Sequence, residues 1–368
     1  MEDLTEIQSS DLSTFMFRYD NLPIHELDNL KQDHVVVVMV PFPIQGHLNQ
    51  LLQLAGLISS SYELPVYYVG SSTLIRQARD VSSLPNVESY VFTCISAFNW
   101  YYFSCLLNGM SVQLQEELLK KLPSLEGEMP NEVRKIMALQ GPYMDIRSDD
   151  IHNTSKLIEG EFLDLLAQVE NKQQWGIGPI LPTKLDHTSN SNNICLEWLN
   201  KQPLRSVLYV SFGISTTFSD REVMELVMGL EQSKQKFIWV LREADRGDIF
   251  IGGARRLELP EEFKERVKGS STMAVPIAAW PMHSDQPKNG FLVAEMLKIG
   301  LIVREWHKHE ELVSESTIEN VVRKLMGSEE GDAIRKRAEE LGEAIRCFTE
   351  KGGTSRIELD SFIAHITR

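Results

Sequence analysis

The stretch Val35 to Gln50, VVVVMVPFPIQGHLNQ, decides how the rest of the chain is read. Its first six residues are apolar on both faces, as a central parallel strand is. Pro41 to Gly46 supplies turn chemistry. From His47 to Ile58, Leu48, Leu51, Leu52 and Ala55 recur with helical spacing. A short strand, Pro65 to Val69, and a helix from Ser72 follow. Strand, helix and strand in that order form a βαβ unit, whose place is a doubly wound sheet.

Working outward, residues 1–33 are polar, acidic and aperiodic, and read as a loose N-terminal arm. From Val87 to Leu107 the chain is dense in aromatics (Tyr90, Phe92, Phe98, Trp100, Tyr101, Tyr102, Phe103), which suits either core or the wall of an apolar ligand site. Helical patterns follow at Ser111 to Leu122 and Lys156 to Glu170. Gly176 to Pro182 then leads into the polar run Asp186 to Asn193, the best linker in the sequence. Beyond it the alternation restarts. Strands are expected at Ser206–Phe212, Lys236–Leu241, Val275–Trp280 and Gly300–Val303, with helices at Arg221–Gln232, Glu261–Lys268 and Ser284–Leu297. Three helical stretches close the chain. The pattern supports two α/β domains of doubly wound, Rossmann-like type with a cleft between them. Residues 34–182 form the first, 183–195 the linker and 196–350 the second, and a C-terminal helix at 351–368 packs back on the first.

Composition narrows the function. At roughly 150 residues per domain, 368 residues suit about two domains. Hydrophobic residues at 42% and charged residues at 24% are globular proportions and argue against disorder. Lys and Arg total 37 against 52 Asp and Glu, a net charge of −15, which disfavours nucleic acid and anionic membranes as partners. The longest apolar run, Val35 to Ile44, carries two prolines and falls short of the ~20 residues that span a bilayer. No basic segment followed by an apolar one opens the chain, so a cytoplasmic location is expected. Cys94, Cys105, Cys195 and Cys347 are scattered without a C-x-x-C pair, which argues against a disulfide framework or structural zinc. The sequon Asn153-Thr154-Ser155 is discounted for want of a secretory route.

Open α/β sheets hold ligands at the carboxyl ends of their strands, which directs attention to two loops, those of His47 and of Ser211 to Phe218, and a further segment after a strand, Trp280 to Gln286, joins them. His47 falls where a helix begins and can accept a proton from a substrate hydroxyl, or can merely pack and cap. Ser211 to Phe218 places a glycine and several hydroxyls before a helix, a pattern that fits a phosphate grip or plain N-capping. In Trp280 to Gln286, Asp285 and Gln286 can accept hydrogen bonds from sugar hydroxyls, or cap the helix. Neither G-x-G-x-x-G, nor G-x-x-x-x-G-K-[ST], nor G-x-S-x-G occurs, which weakens the dinucleotide, P-loop and serine-hydrolase readings. His307 to Glu311 sits in a charged, solvated segment and is a poor metal cluster.

Three segments carry a resemblance. VVMVPFPIQGHLNQ (Val37 to Gln50), CLEWLNKQPLRSVLYVSFGISTTF (Cys195 to Phe218) and VPIAAWPMHSDQP (Val275 to Pro287) together resemble a plant UDP-glycosyltransferase. IAAWPMHSDQP and the ending SFIAHITR are most similar to the zeatin O-glucosyltransferase and O-xylosyltransferase branch. The resemblance implies a GT-B fold, two Rossmann-like domains facing across a cleft, with acceptor held mainly by the first half and UDP-sugar by the second. It implies His47 as general base for inverting displacement without metal or other cofactor, UDP-glucose or UDP-xylose being the co-substrate. Gly213, Ser215 and Thr216 match the loop that contacts the diphosphate, and Asp285 and Gln286 the pair that holds the sugar hydroxyls. The acceptor it implies is a small hydroxylated compound such as zeatin, and the chain is expected to be a monomer.

The chain also departs from the family's pattern. The donor signature there starts with a tryptophan that stacks on uracil, then a histidine at a helix start, a Trp-Asn-Ser run and a glutamate for the ribose. Here Phe263 to Gly269 runs through Ser270 to Ala274 directly onto Val275, so only the signature's tail remains. A second gap lies between Arg79-Asp80-Val81 and Pro85-Asn86-Val87, where the family carries the aspartate that orients the catalytic histidine. A catalytically impaired form, binding acceptor or partner without transfer, is therefore the alternative to an active transferase.

Overall fold

The computed structural model describes residues 35, 37–39, 45–64, 66–68, 88, 90–124, 147–180, 194–213, 216, 218–240, 275–350 and 352–368. They fall into two compact units. One takes its described residues from Met1–Ser104, Ile136–Lys184 and Phe348–Arg368, the other from Cys105–Lys135 and Leu185–Cys347. The expected arm at 1–33, the helix from Ser72, the polar run at 186–193 and the short helix at 261–268 lie outside the described residues.

In the first unit, β1 (Val37–Met39) runs parallel to β2 (Val66–Tyr68), with α1 (Gln45–Tyr62) between them in sequence. Leu54, Ala55 and Ile58 give α1 its buried stripe, one helical turn apart on the face turned to β1 and its neighbours. A second parallel sheet joins β3 (Tyr90–Thr93), β4 (Asp149–His152) and β5 (Gln174–Gly176). Between these strands run α2 (Ala97–Leu107) and α4 (Lys156–Glu170); a single turn, α3 (Glu116–Leu119), lies in the other unit. The helix expected over 111–122 is reduced to that turn; over 111–115 burial alternates, with Val112 and Leu114 half-buried between exposed neighbours, a period of two that suits extended chain. Strands β4 and β5 escaped the sequence reading because Asp-Asp-Ile-His and Gln-Trp-Gly carry no apolar alternation. One face of this sheet, with Ile151 and Trp175, shares a core with Met39, Leu54, Ile58 and the last helix, α10 (Thr354–Ile366). The C-terminal segment therefore completes this unit: Leu359, Phe362 and Ile363 are buried, and the Ser355 hydroxyl donates to the Gly178 carbonyl at 2.7 Å.

Beyond α3, the second unit contains α5 (Ile194–Asn200) and pairs β6 (Val207–Val210) with β7 (Lys236–Trp239) and β8 (Ile277–Ala279) with β9 (Gly300–Ile302), both parallel. Between β6 and β7 lies α6 (Asp220–Ser233). After β9 come α8 (Glu315–Gly327) and α9 (Glu329–Thr349). Val223, Leu226, Val227 and Leu230 of α6 meet Ile318 and Val322 of α8 in one apolar core. The crossing is close enough to need a glycine. A Cβ on Gly229 would stand 2.6 Å from Ile318 Cβ and 2.7 Å from the Glu315 carbonyl oxygen. The helix expected over Ser284–Leu297 is α7 (Gln286–Phe291) followed by a π-helical turn, Leu292–Met296. Among the described residues no helix is long and apolar enough to cross a membrane.

Candidate active site

In the second unit the loop after β6 turns at Gly213, whose φ of +71° favours glycine although a Cβ there would meet nothing within 4 Å. Thr216 is buried at 4% exposure, and Ser215 lies outside the described residues. Phe218 enters the core, and Ser219 then caps α6 in a reciprocal box. Glu222 N–H donates to Ser219 Oγ at 3.3 Å, and Ser219 N–H donates to Glu222 Oε2 at 2.8 Å. With Asp220 and Glu222 in its first turn, this helix end is already served by carboxylates.

The loop after β8 has a different construction. Ser284 takes φ +61°, and Asp285 stands at the N-cap of α7. Gln286 Oε1 accepts from the backbone N–H groups of Met282 (2.8 Å) and His283 (3.4 Å), which fixes the orientation of the amide. Asp285 Oδ2 accepts from Asn289 Nδ2 at 2.7 Å. Both side chains thus shape the turn, and the Gln286 oxygen that the sequence offered as an acceptor is already engaged by backbone N–H groups.

Aromatic contacts bring the two loops side by side. Phe212 and Phe218 meet edge to face at 4.5 Å, and Trp280 meets them at 5.5 and 5.9 Å. Arg304, just past β9, lies with Cζ 6.0 Å from the Trp280 ring centroid. Its NH1 donates to the Glu311 carbonyl (3.0 Å) and its NH2 to the Pro281 carbonyl (3.4 Å). Burial lowers the Arg304 pKa, partly offset by the charge of Glu222.

In the first unit His47 falls in the first turn of α1, where the sequence placed it; its side chain lies outside the described residues. One turn on, Gln50 Oε1 accepts from Asn153 Nδ2 at 2.5 Å. Asn153 Oδ1 accepts from Ile180 N–H (2.7 Å), and its own N–H donates to the Thr93 carbonyl (2.9 Å). Asn153 therefore ties the carboxyl ends of β3 and β4 to α1. The residue discounted as a sequon is a structural hub, and its place between a strand and a helix was the signal to read.

Behind that hub lies a polar layer that the sequence reading missed. Arg147 Nε donates to Asp150 Oδ1 at 2.6 Å, and Arg147 also pairs with Glu170, which accepts from Ser104 Oγ at 2.5 Å. Asp150 accepts from Gln174 Nε2 at 3.2 Å. That leaves Gln174 Oε1 for His152 Nε2 at 2.6 Å, so His152 carries its proton on Nε2. Burial holds the His152 pKa below its ordinary value, in keeping with a neutral ring. Glu159 accepts from Phe98 N–H at 2.9 Å at the start of α2, and burial raises its pKa. The aromatic stretch is core at Phe98 and Tyr101, which pack on Phe162 at 4.9 and 5.9 Å. Of the residues in the charged run after β9, His309 stacks on Trp306 at 4.4 Å.

Comparison with known proteins fits this frame. The family described as glycosyltransferase, N-terminal domain, matches residues 33–80 and 79–182, two stretches that meet beside the join after Arg79-Asp80-Val81. The chain is 35% identical over 453 residues to zeatin O-xylosyltransferase of Phaseolus vulgaris, covering 91% of this chain and 98% of that protein. It is 35% identical over 457 residues to zeatin O-glucosyltransferase of Phaseolus lunatus, covering 91% and 97%. Both matched lengths exceed the 368 residues present, so these relatives carry internal segments that this chain lacks. Among solved structures, Phytolacca americana UGT2 complexed with UDP-2fluoro-glucose and pterostilbene superposes with a TM-score of 0.70 at 20% identity, covering 90% of this chain and all of that one. The fold is therefore the GT-B fold of that structure. With the bean relatives matched over nearly their whole length, the chain belongs to the plant UDP-glycosyltransferase family.

Proposed function

We propose that this chain moves glucose or xylose from a UDP-sugar to a hydroxyl of a zeatin-type cytokinin. His47 takes the hydroxyl proton as the acceptor oxygen bonds to the anomeric carbon. The bond from that carbon to the diphosphate oxygen breaks, and UDP leaves with inversion at the sugar. Imidazole suits the step because its unperturbed pKa lies near neutral. Gly213, Ser215 and Thr216 face the diphosphate, and Asp285 and Gln286 face the sugar. Residues 34–182 hold the acceptor and 196–350 the donor, and the reaction proceeds without metal in a cytoplasmic monomer. The observation that carries this reading is the near full-length similarity to two zeatin O-glycosyltransferases. The side-by-side loops after β6 and β8, which carry the donor residues, support it.

A second reading, a form that binds acceptor without transferring sugar, is favoured by one observation. The relatives are longer, and the start of the donor signature is absent between Lys268 and Val275. Incubation with zeatin and either UDP-glucose or UDP-xylose, followed by mass spectrometry of the acceptor, separates the two. A hexosyl or pentosyl adduct is expected. Zeatin binding without any adduct from either donor gives the second reading.

A further inference from the structure

We propose that Arg304 is a positioning residue: through Trp280 and Phe212 it holds the loop after β6 in register with the loop after β8. The inference rests on the reading that these two loops hold the UDP-sugar.

The contacts form a continuous chain across three loops at the carboxyl ends of β6, β8 and β9. Arg304 follows β9. Its guanidinium spans two carbonyls, Pro281 in the β8 loop and Glu311 in its own, and lies against the Trp280 ring. A further contact reaches Met282 Sδ at 3.7 Å. Trp280 in turn meets both aromatics that flank Gly213 to Thr216. The planar fork is what allows one side chain to do this, since an ammonium has no stacking face and its three donors all radiate from a single nitrogen. No carboxylate pairs with Arg304 among the described residues. Its hydrogen bonds go to backbone carbonyls and to sulfur, so its directional contacts are with the loops, and Glu222 acts on it through charge alone. Because Gln286 Oε1 grips Met282 N–H, whatever moves Pro281 and Met282 also moves the Asp285–Gln286 turn. Coupling across packed neighbours is reciprocal, so a change at Phe212 must reach the β8 loop as surely as a change at Arg304 reaches the β6 loop.

Hydrogen exchange on the full chain, read by mass spectrometry over 211–219 and 281–289, tests the coupling, with UDP titrated in parallel. Arg304→Met is expected to speed exchange in both segments, including 211–219, where none of the Arg304 hydrogen bonds among the described residues ends. Phe212→Leu is expected to speed exchange in 281–289. The Kd for UDP is expected to rise about tenfold in Arg304→Met. The KM for donor rises with it, and kcat at saturating donor and the KM for acceptor stay unchanged. Arg304→Lys, which keeps charge and length, is expected to show the same pattern at lower amplitude, and serves should Arg304→Met not fold. Faster exchange confined to 281–289 in both arginine variants, with UDP affinity unchanged, overturns the proposal. If both segments loosen but UDP binds neither wild type nor variant, the coupling stands and the donor assignment falls.

Discussion

The two units bury their strands in different ways. In the first, all three residues of β5 and all but the first of β4 are buried, and one layer of that sheet is charged and polar: Arg147, Asp150, His152 and Gln174. In the second, Tyr209 of β6 is 46% exposed and Ile277 of β8 is 42% exposed, and among the described residues the buried polar side chains are few: Thr216, Ser233 and Lys288. Stability in the first unit therefore depends on polar partners being present, and in the second on how closely apolar surfaces approach. A single lost charge is the weak point of one, a single added methyl the weak point of the other.

The largest expected effect breaks the polar layer. Asp150→Ala strands Arg147 beside Glu170 alone and removes the acceptor that orients Gln174, and should cost about 3–5 kcal/mol in urea unfolding. Unit-resolved hydrogen exchange should place that loss in the first unit. Gly229→Ala should cost roughly 1–3 kcal/mol in the second unit, because Ile318 and the Glu315 carbonyl occupy the space the methyl needs. If Gly229→Ala is neutral, the close helix crossing is not what holds that unit. Ser219→Ala removes half of the capping box and should cost about 1 kcal/mol, again in the second unit.

The smallest effect is a change of slope with pH. His152 has a folded pKa below its ordinary 6.5, so the unfolded chain takes up its proton first as pH falls. The stability that the neutral ring contributes is complete above about pH 6.5 and declines as pH drops below it. His152→Gln should flatten that decline in the first unit and leave the second unit's acid response unchanged. An unaltered slope in His152→Gln would mean that His152 is not the group being titrated.

Legibility in the sequence followed the same division. Among the described residues of the second unit the first βα step was readable closely: Ser206–Phe212 became Val207–Val210, and Arg221–Gln232 became Asp220–Ser233. Period and capping residues agree there with burial. In the first unit, Lys156–Glu170 was readable because Phe162, Leu163 and Leu166 repeat at helical spacing. Strands β4 and β5 were not, since a buried polar layer replaces the apolar alternation that marks a strand. The same cause hid the Arg147–Asp150–Gln174–His152 chain, whose members are unremarkable until the strand register aligns them. Asp285 and Gln286 were legible as a motif, but their engagement with the turn was not, because it depends on backbone N–H groups. Arg304 carried no motif, and only its contacts with Trp280 and two carbonyls give it a role.

Sugar transfer by wild type and by His47→Ala, measured side by side with saturating UDP-glucose and zeatin, tests the central claim most directly. The account predicts a zeatin glycoside from the wild-type chain and a rate at least about a hundredfold lower from a folded His47→Ala variant. Equal turnover in the two proteins would contradict it.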